Sequence, residues 1–297
     1  MVDKKNLLRI HDLTVNDVEN LVALADSYIS KKGSDEKILQ NRVVVNLFFE
    51  NSTRTLASFE IAAKSLGADV VTLPVKFSSV NKGESLKDMV KTLNAMGCDF
   101  MIVRHQTGGI IDTFARYVKC LLINAGDGSN EHPTQALADY FVIRCYKKHI
   151  KDLKVVICGD VLHSRVARSN IRLLKMLGVK ITLVAPPTLV CKHFSEVDSV
   201  HYSLEEGIKD ADVIMLLRLQ TERMNNSNYI PSKKEYFHLY GLDSEKLSHA
   251  KSDVIVMHPG PVNRGVEIGS DIADNVILQQ VESGLAMRKA ILHYYSS

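Results

Sequence analysis

Unbroken apolar, β-branched runs recur along this chain and alternate with segments of helical periodicity, and that alternation leaves few folds open. The runs are RVVVNLFF (42–49), DVVTL (69–73), DFMIV (99–103), CLLIN (120–124), LKVVIC (153–158), VKITLV (179–184), DVIMLL (212–217) and DVIVM (253–257). A strand covered on one face alternates apolar with polar residues. A continuous run marks a strand buried on both faces, as in a parallel sheet covered by helices. Helices are predicted over 14–31, 52–66, 84–96, 108–118, 133–148 and 163–177. The first opens on TVND, a capping-box pattern, and then carries Val18, Leu21, Val22 and Ala25 at helical spacing. The class is α/β.

A single hydrophobic core stops growing near ~250–300 residues, so a chain of 297 residues is expected to form two domains. Each is expected to be a parallel sheet flanked by helices, with long helices joining them. Four predicted strands precede the helix of 133–148 and four follow it. The expected division is a first domain over 1–132, a linking helix over 133–149 and a second domain over 150–277. The segment NVILQQVESGLAMRKAILHYY (275–295) reads as helical, and a C-terminal helix of about 278–297 is expected to pack back on the first domain.

Composition narrows the function classes. Net charge is +3 with lysines and arginines scattered among acids, not the concentrated basic face that nucleic acid requires. No stretch approaches the ~18 apolar residues of a membrane span. The first residues, MVDKKNLLRIHDLT, lack the apolar core of a signal peptide. The five cysteines are widely spaced with no CxxC pair, which argues against a disulfide framework or a zinc knuckle and points to a reducing, cytoplasmic setting. No HExxH or carboxylate-histidine pair at ligand spacing occurs, so no metal is expected.

Ligands of open parallel sheets bind beyond the carboxyl ends of strands, and the polar clusters of this chain fall there. ENSTRT follows the first predicted strand, Arg104-His105 the third, NAGDGSNEHPTQ the fourth, GDVLHSR the fifth, RLQTER the seventh and HPGPVNR the eighth. ENSTRT places Ser52, Thr53, Arg54 and Thr55 on the first turn of a helix. Unpaired N–H groups, the positive end of the macrodipole, hydroxyls and a guanidinium together make a phosphate cradle. A capping serine with solvated neighbours is the plain alternative. No GxxxxGK[ST] loop occurs, and GD without a GxGxxG fingerprint is weak support for a dinucleotide.

The other clusters each have a functional and a bland reading. In SSVNKGES, Ser79 and Lys82 sit in a polar loop; a lysine there can bring charge to a closing site, or be solvated. In HPTQ, His132 can donate to a developing oxyanion and the Gln135 amide oxygen can hold an N–H, with Pro133 opening a helix. Arg165 and Arg218, with Gln220, suit a dicarboxylate gripped at both ends, or are surface ion pairs. In HPGPVNR, Gly260-Pro261 is a candidate cis peptide that aims carbonyl oxygens at a ligand, or a plain turn.

Taken in order, FFENSTRTLASFE, SSVNKGES, NAGDGSNEHPTQALAD, GDVLHSRVARS, LLRLQTERM and MHPGPVNRGVEI resemble the aspartate/ornithine carbamoyltransferase family over nearly the whole chain. The aspartate branch is favoured. Ornithine enzymes usually carry a cysteine in an HCLP turn where this chain has HPGP, and Arg218 has the wrong sign for a cationic acceptor. The resemblance implies transfer of the carbamoyl group of carbamoyl phosphate to the amine of L-aspartate, an early step of pyrimidine biosynthesis, with no cofactor. It implies that Ser52, Thr53, Arg54 and Thr55 bind the phosphate and that Thr55, Arg104 and His132 polarise the carbonyl. Gln135 and the backbone of Pro259 and Gly260 would hold the amide, while Arg165, Arg218 and Gln220 would seat the aspartate carboxylates beside Pro261. Ser79 and Lys82 would reach the carbamoyl phosphate, and the catalytic Lys82 the aspartate as well, from a neighbouring copy in a homotrimer with shared sites. Glu50 and Arg223 resemble a pair that holds the closed arrangement. Leu56 and Val166 depart from the arginine and threonine of many relatives, which leaves aspartate affinity open. Association with separate regulatory chains is left open as well. The alternatives are transfer to ornithine or a modified ornithine, and a silent scaffold; Arg54, His132 and Lys82 are all present, which disfavours the scaffold.

Overall fold

The apolar runs form two parallel sheets. In the computed structural model of the protein, residues 6–30, 37–74, 83–190, 195–224, 229–230, 232–273 and 275–296 are described. The first sheet contains β1 (Val43–Phe48), β2 (Asp69–Pro74), β3 (Phe100–His105) and β4 (Leu121–Asp127), in the order β2-β1-β3-β4. The second contains β5 (Lys154–Cys158), β6 (Lys180–Val184), β7 (Ser199–His201), β8 (Val213–Leu216) and β9 (Ile255–Met257), in the order β7-β6-β5-β8-β9. Every pairing between these strands is parallel. Helices α1 (Val15–Ser30), α2 (Thr53–Ser65), α3 (Leu86–Ala95), α4 (Ile110–Phe114) and α5 (Pro133–Tyr146) accompany the first half of the chain. They are followed by α6 (Arg165–Met176), α7 (Leu204–Ile208), α8 (Lys233–Tyr240), α9 (Ser244–Leu247) and α10 (Asn275–Ser296).

The chain separates into two compact units, 1–138 with 282–297 and 139–281. Both passages between units therefore fall inside helices, α5 and α10. In the first unit Val45, Leu47, Met101, Val103 and Leu122 of the sheet bury against Met89, Val90, Ile111 and Phe114. In the second, Val156, Cys158, Ile214, Leu216 and Val256 bury against Leu204, Ile208 and Ile272. Helix α10 returns to the first unit, where His293 Nδ1 and Tyr28 Oη are 2.9 Å apart and Tyr294 donates to Asp17 at 2.5 Å. The TVND start forms a reciprocal cap on α1: the Asp17 N–H donates to Thr14 Oγ1 at 3.2 Å and the Thr14 N–H to Asp17 Oδ2 at 2.8 Å.

Several local expectations are corrected. Among the described residues DVVTL is an edge strand, paired on one side only, and Val71 is 42% exposed. Five strands, not four, follow α5 among the described residues; the added β7 is a three-residue edge strand. The predicted helix of 108–118 shrinks to Ile110–Phe114, since Gly109 holds a left-handed conformation at its start and the chain leaves through turns after Phe114. Among the described residues no helix is long and apolar enough to cross a membrane.

The loop after β4 is fixed by one buried carboxylate. Asp127 accepts from the N–H groups of Gly109 (2.7 Å) and Glu131 (3.0 Å) and from the side-chain amides of Asn124 (3.0 Å) and Asn130 (3.1 Å). Gly128 beside it has φ of +49°, and a Cβ there would stand 2.6 Å from the Gly108 nitrogen, so only glycine fits. His105, at the end of β3, packs on Phe49 with ring centroids 4.8 Å apart and accepts the Thr107 N–H at 2.9 Å through Nδ1.

Both features are open to measurement in solution. Asp127→Ala strands four donors at the mouth of the first sheet and is expected to lower stability by about 2–4 kcal/mol in urea unfolding; an unchanged midpoint would strip Asp127 of its anchoring role. Burial pushes the His105 pKa below the ordinary imidazole value, although Glu50 and Asp127 pull the other way. The unfolded chain then takes up this proton at a higher pH than the folded one. His105's contribution to stability is therefore present above the ordinary imidazole pKa and is lost as pH falls through the lower folded value. An NMR titration of the His105 ring is expected to fall below that of a free histidine.

Candidate active site

Each sheet reverses its direction of construction once, and several of the candidate residues gather at those points. In the first unit the chain adds β2 on one side of β1 and β3 on the other; in the second it adds β6 and β7 on one side of β5 and β8 on the other. Diverging loops at such a switch point leave a crevice beyond the carboxyl ends of the strands. Ser52–Thr55 follow β1 and Arg104 stands near the end of β3, while Arg165, Arg218 and Gln220 follow β5 and β8.

In the first unit Ser52 is the N-cap of α2, with extended backbone, yet its side chain makes no capping hydrogen bond. Ser85, Ser164, Ser203 and Ser232, the N-caps of α3, α6, α7 and α8, all accept a backbone N–H three residues on. Ser52 is therefore held back from the task that the other capping serines perform. Thr55 is buried on the same turn, Thr53 and Arg54 are exposed, and Ser52 is half-buried. Such a turn offers N–H groups, hydroxyls and the positive end of the helix dipole to an anion.

Neighbouring groups supply more positive charge. Arg104 is mostly buried; its Nε lies 2.7 Å from Glu50 Oε1 and its Nη1 donates to the Ala125 carbonyl at 3.2 Å. The ion pair holds the guanidinium beside the end of β1, to which the Phe49 N–H is also tied through the Arg104 carbonyl at 2.8 Å. His132 is buried immediately before α5, with Nδ1 3.4 Å from Thr134 Oγ1. Pro133 opens that helix, and Gln135 is half-buried on its first turn, with its N–H donating to the His132 carbonyl at 3.0 Å.

In the second unit a carboxylate passed over in the sequence organises the strand ends. Asp160 is fully buried; Oδ1 accepts the His163 N–H at 3.2 Å and faces His163 Nδ1 at 2.8 Å, while Oδ2 accepts the Gln220 N–H at 3.1 Å. It joins the loops after β5 and β8. Its signal was an acid placed directly after a buried strand and a glycine. Gly159 has φ of +118°, and a Cβ would come within 2.7 Å of the Leu217 carbonyl, so the two strand ends approach as closely as they do only with glycine. Arg165 is buried at the start of α6, behind Ser164, whose side chain caps the helix.

Arg218 pairs with Glu222, one turn along, Nη1 donating to Oε2 at 3.0 Å. Burial pushes the Glu222 carboxyl up, but the Arg218 guanidinium overcomes this and holds its pKa below the usual carboxylate value; the hydrogen bond to Glu222 in turn raises that of Arg218. The pair sits with Glu222 half exposed, so it is an exchangeable partner and not a sealed one. Arg223 donates to the His163 carbonyl at 2.9 Å.

The HPGP turn follows β9. The Gly260–Pro261 peptide is cis. The Gly260 N–H donates to His258 Nδ1 at 2.8 Å, which places the ring proton on Nε2, where it faces Glu267 Oε1 at 3.2 Å. The same Oε1 accepts the Asn263 N–H at 2.6 Å. Pro259 and Gly260 are half-buried and Pro261 is exposed. Ser79 and Lys82 lie outside the described residues. Among those described, no group of three or more His, Cys, Asp or Glu is placed to hold a metal ion.

Known proteins share this architecture. The family model described as "Aspartate/ornithine carbamoyltransferase, carbamoyl-P binding domain" matches residues 5–145, and that described as "Aspartate/ornithine carbamoyltransferase, Asp/Orn binding domain" matches residues 151–295. The aspartate carbamoyltransferase catalytic subunit of Wolbachia sp. subsp. Drosophila simulans (strain wRi) is 74% identical over 295 residues, 99% of each chain. That of Ehrlichia canis (strain Jake) is 56% identical, covering 97% of this chain and 95% of its own. A solved structure of aspartate transcarbamoylase from Trypanosoma cruzi, in complex with carbamoyl phosphate and aspartate, superposes with a TM-score of 0.90 at 30% identity, covering 98% of this chain and 96% of that one. The chain belongs to the aspartate/ornithine carbamoyltransferase family.

Proposed function

We propose that this chain transfers the carbamoyl group of carbamoyl phosphate to the amine of L-aspartate, giving N-carbamoyl-L-aspartate and phosphate. The observation that carries the reading is the uncapped first turn of α2, where Ser52, unlike Ser85, Ser164, Ser203 and Ser232, makes no cap bond. An anion site of this kind suits a phosphate, and the arginines after β5 and β8 suit the two carboxylates of aspartate. The name shared by relatives from Wolbachia and Ehrlichia points the same way.

The first unit is read as the carbamoyl-phosphate half and the second as the aspartate half. Ser52, Thr53, Arg54 and Thr55 hold the phosphate. The aspartate amine attacks the carbonyl carbon, and the resulting oxyanion is met by Thr55, Arg104 and His132. Collapse of the tetrahedral species breaks the bond to the phosphate oxygen, which takes the proton given up by the attacking amine, and the resulting hydrogen phosphate dianion stays on the α2 turn. Gln135 and the carbonyls of Pro259 and Gly260 hold the carbamoyl amide. Arg165, Arg218 and Gln220 seat the acceptor, with substrate displacing or sharing Glu222 at Arg218. No covalent intermediate and no cofactor are needed; alignment of both reactants and preorganised positive charge lower the barrier. Ser79 and Lys82 complete the site from an adjacent copy in a homotrimer.

The direct test is phosphate release from carbamoyl phosphate by the purified chain, with L-aspartate or L-ornithine as acceptor. Release with aspartate alone is expected; release with ornithine alone would transfer the chain to the other branch. Arg54→Ala and His132→Ala should each lose ~10²–10³-fold in kcat, with urea midpoints close to the parent; undiminished turnover would strip either residue of its role. Sedimentation is expected to give a trimer, and mixing inactive Lys82→Ala and Arg54→Ala chains is expected to restore part of the activity. An active monomer would refute the shared site.

A further inference from the structure

We propose that Gln280 is a positioning residue for the HPGP turn, acting together with Asp139 through a buried chain of hydrogen bonds. The proposal rests on the reading that Pro259 and Gly260 hold the carbamoyl amide. Gln280 belongs to α10 and Asp139 to α5, and both are buried within the second unit. Gln280 Nε2 donates to Asp139 Oδ1 at 2.9 Å, and Gln280 Oε1 accepts the His258 N–H at 2.8 Å. Asp139 Oδ2 accepts from Asn170 Nδ2 of α6, also at 2.9 Å. The turn is thus anchored at the His258 backbone by Gln280, and at the His258 ring by Gly260 and Glu267.

The donor and acceptor pattern explains why a glutamine stands there. A carboxylate only accepts and a backbone N–H only donates, so the side chain between them must donate at one end and accept at the other. The amide is fixed in one orientation by these partners. Apolar side chains would fill the same space without the risk of stranding a buried N–H, so the network is better suited to aiming a turn than to strengthening a core. A carbonyl that must meet a ligand N–H has to be held to about 0.5 Å, and the His258 N–H lies directly before Pro259. Asp139 also stands four residues after Gln135 on α5, so the helix that carries one residue assigned to the amide anchors the turn that supplies the others.

Exchanging the two groups tests the chain. In Gln280→Glu the His258 N–H keeps its acceptor, but two carboxylates face each other. In Asp139→Asn an amide nitrogen meets an amide nitrogen, or Gln280 turns over and presents its nitrogen to the His258 N–H. In the double variant the amide introduced at position 139 donates to the carboxylate introduced at position 280. That carboxylate accepts the His258 N–H, and the amide oxygen at position 139 still accepts from Asn170. Each single change is expected to raise KM for carbamoyl phosphate about tenfold with a smaller change in kcat, and the double variant to return it to within about threefold of the parent. Singles within about twofold of the parent, or a folded double variant no better than Gln280→Glu, would overturn the proposal.

Gln280→Met, which keeps the shape and removes both bonds, serves if the single variants fail to fold; recovery in the double variant then supports the pairing, and a Gln280→Met enzyme with parental KM overturns it. If the parent chain itself shows no activity with aspartate, the proposed function fails and the network is read by hydrogen exchange at the His258 amide. Slower exchange in the parent and the double variant than in Gln280→Met supports it, and equal exchange overturns it.

Discussion

Parallel strand pairing is the constraint on which the rest of this protein depends. Strands that run in one direction need crossovers, and the crossovers cover both faces of each sheet with helices, which is why the runs in β1, β3, β5 and β8 are dominated by apolar residues instead of alternating with polar ones. The same geometry sends every loop that follows a strand to one edge of its sheet. Where construction reverses, between β1 and β3 and between β5 and β8, the loops part. Charged groups that would be ruinous in the cores are tolerated there, and Ser52–Thr55, Arg104, Arg165, Arg218 and Gln220 stand at these positions, while His132, Gln135 and the HPGP turn follow the edge strands β4 and β9.

A second regularity is the use of buried acids as backbone anchors beside the candidate site residues. Asp127, Asp160 and Glu267 each accept backbone N–H groups, from Gly109 and Glu131, from His163 and Gln220, and from Asn263. A carboxylate occupied in this way fixes a loop through directional bonds. Positive charge is presented by other groups: the α2 turn, Arg104, Arg165 and Arg218. Two of these guanidiniums are themselves steadied by acids, Arg104 by Glu50 and Arg218 by Glu222. The first pair is the more enclosed, and the second is open enough to yield to a ligand.

Much of this was legible in the sequence because burial on both faces writes itself as an unbroken run and because charge after such a run is conspicuous. Ser52–Thr55, Arg104, Arg165 and Arg218 were all singled out by that signal. What escaped has physical causes. β7 is a three-residue edge strand of mixed polarity, and α7 and α9 are too short for a helical period to emerge, although Ser203 and Asp243 cap them. DVVTL reads as a buried strand although β2 lies at an edge, because composition does not report which neighbour is missing. Asp160 and Gln280 were invisible as anchors because their partners lie 60 and 22 residues away in the chain. Hydrogen bonds of that span are decided by the fold, and no local pattern announces them.

The passage of the chain through α5 and back through α10 also orders its synthesis. The second unit is one continuous stretch, 139–281, inserted into a first unit that needs residues 282–297 as well. Contacts such as Tyr294 with Asp17 and His293 with Tyr28 join the last helix to the first. A ribosome emitting this chain therefore releases the later-coded unit as a complete folding body before the earlier one. In the first unit α1 lacks part of its cover until α10 emerges.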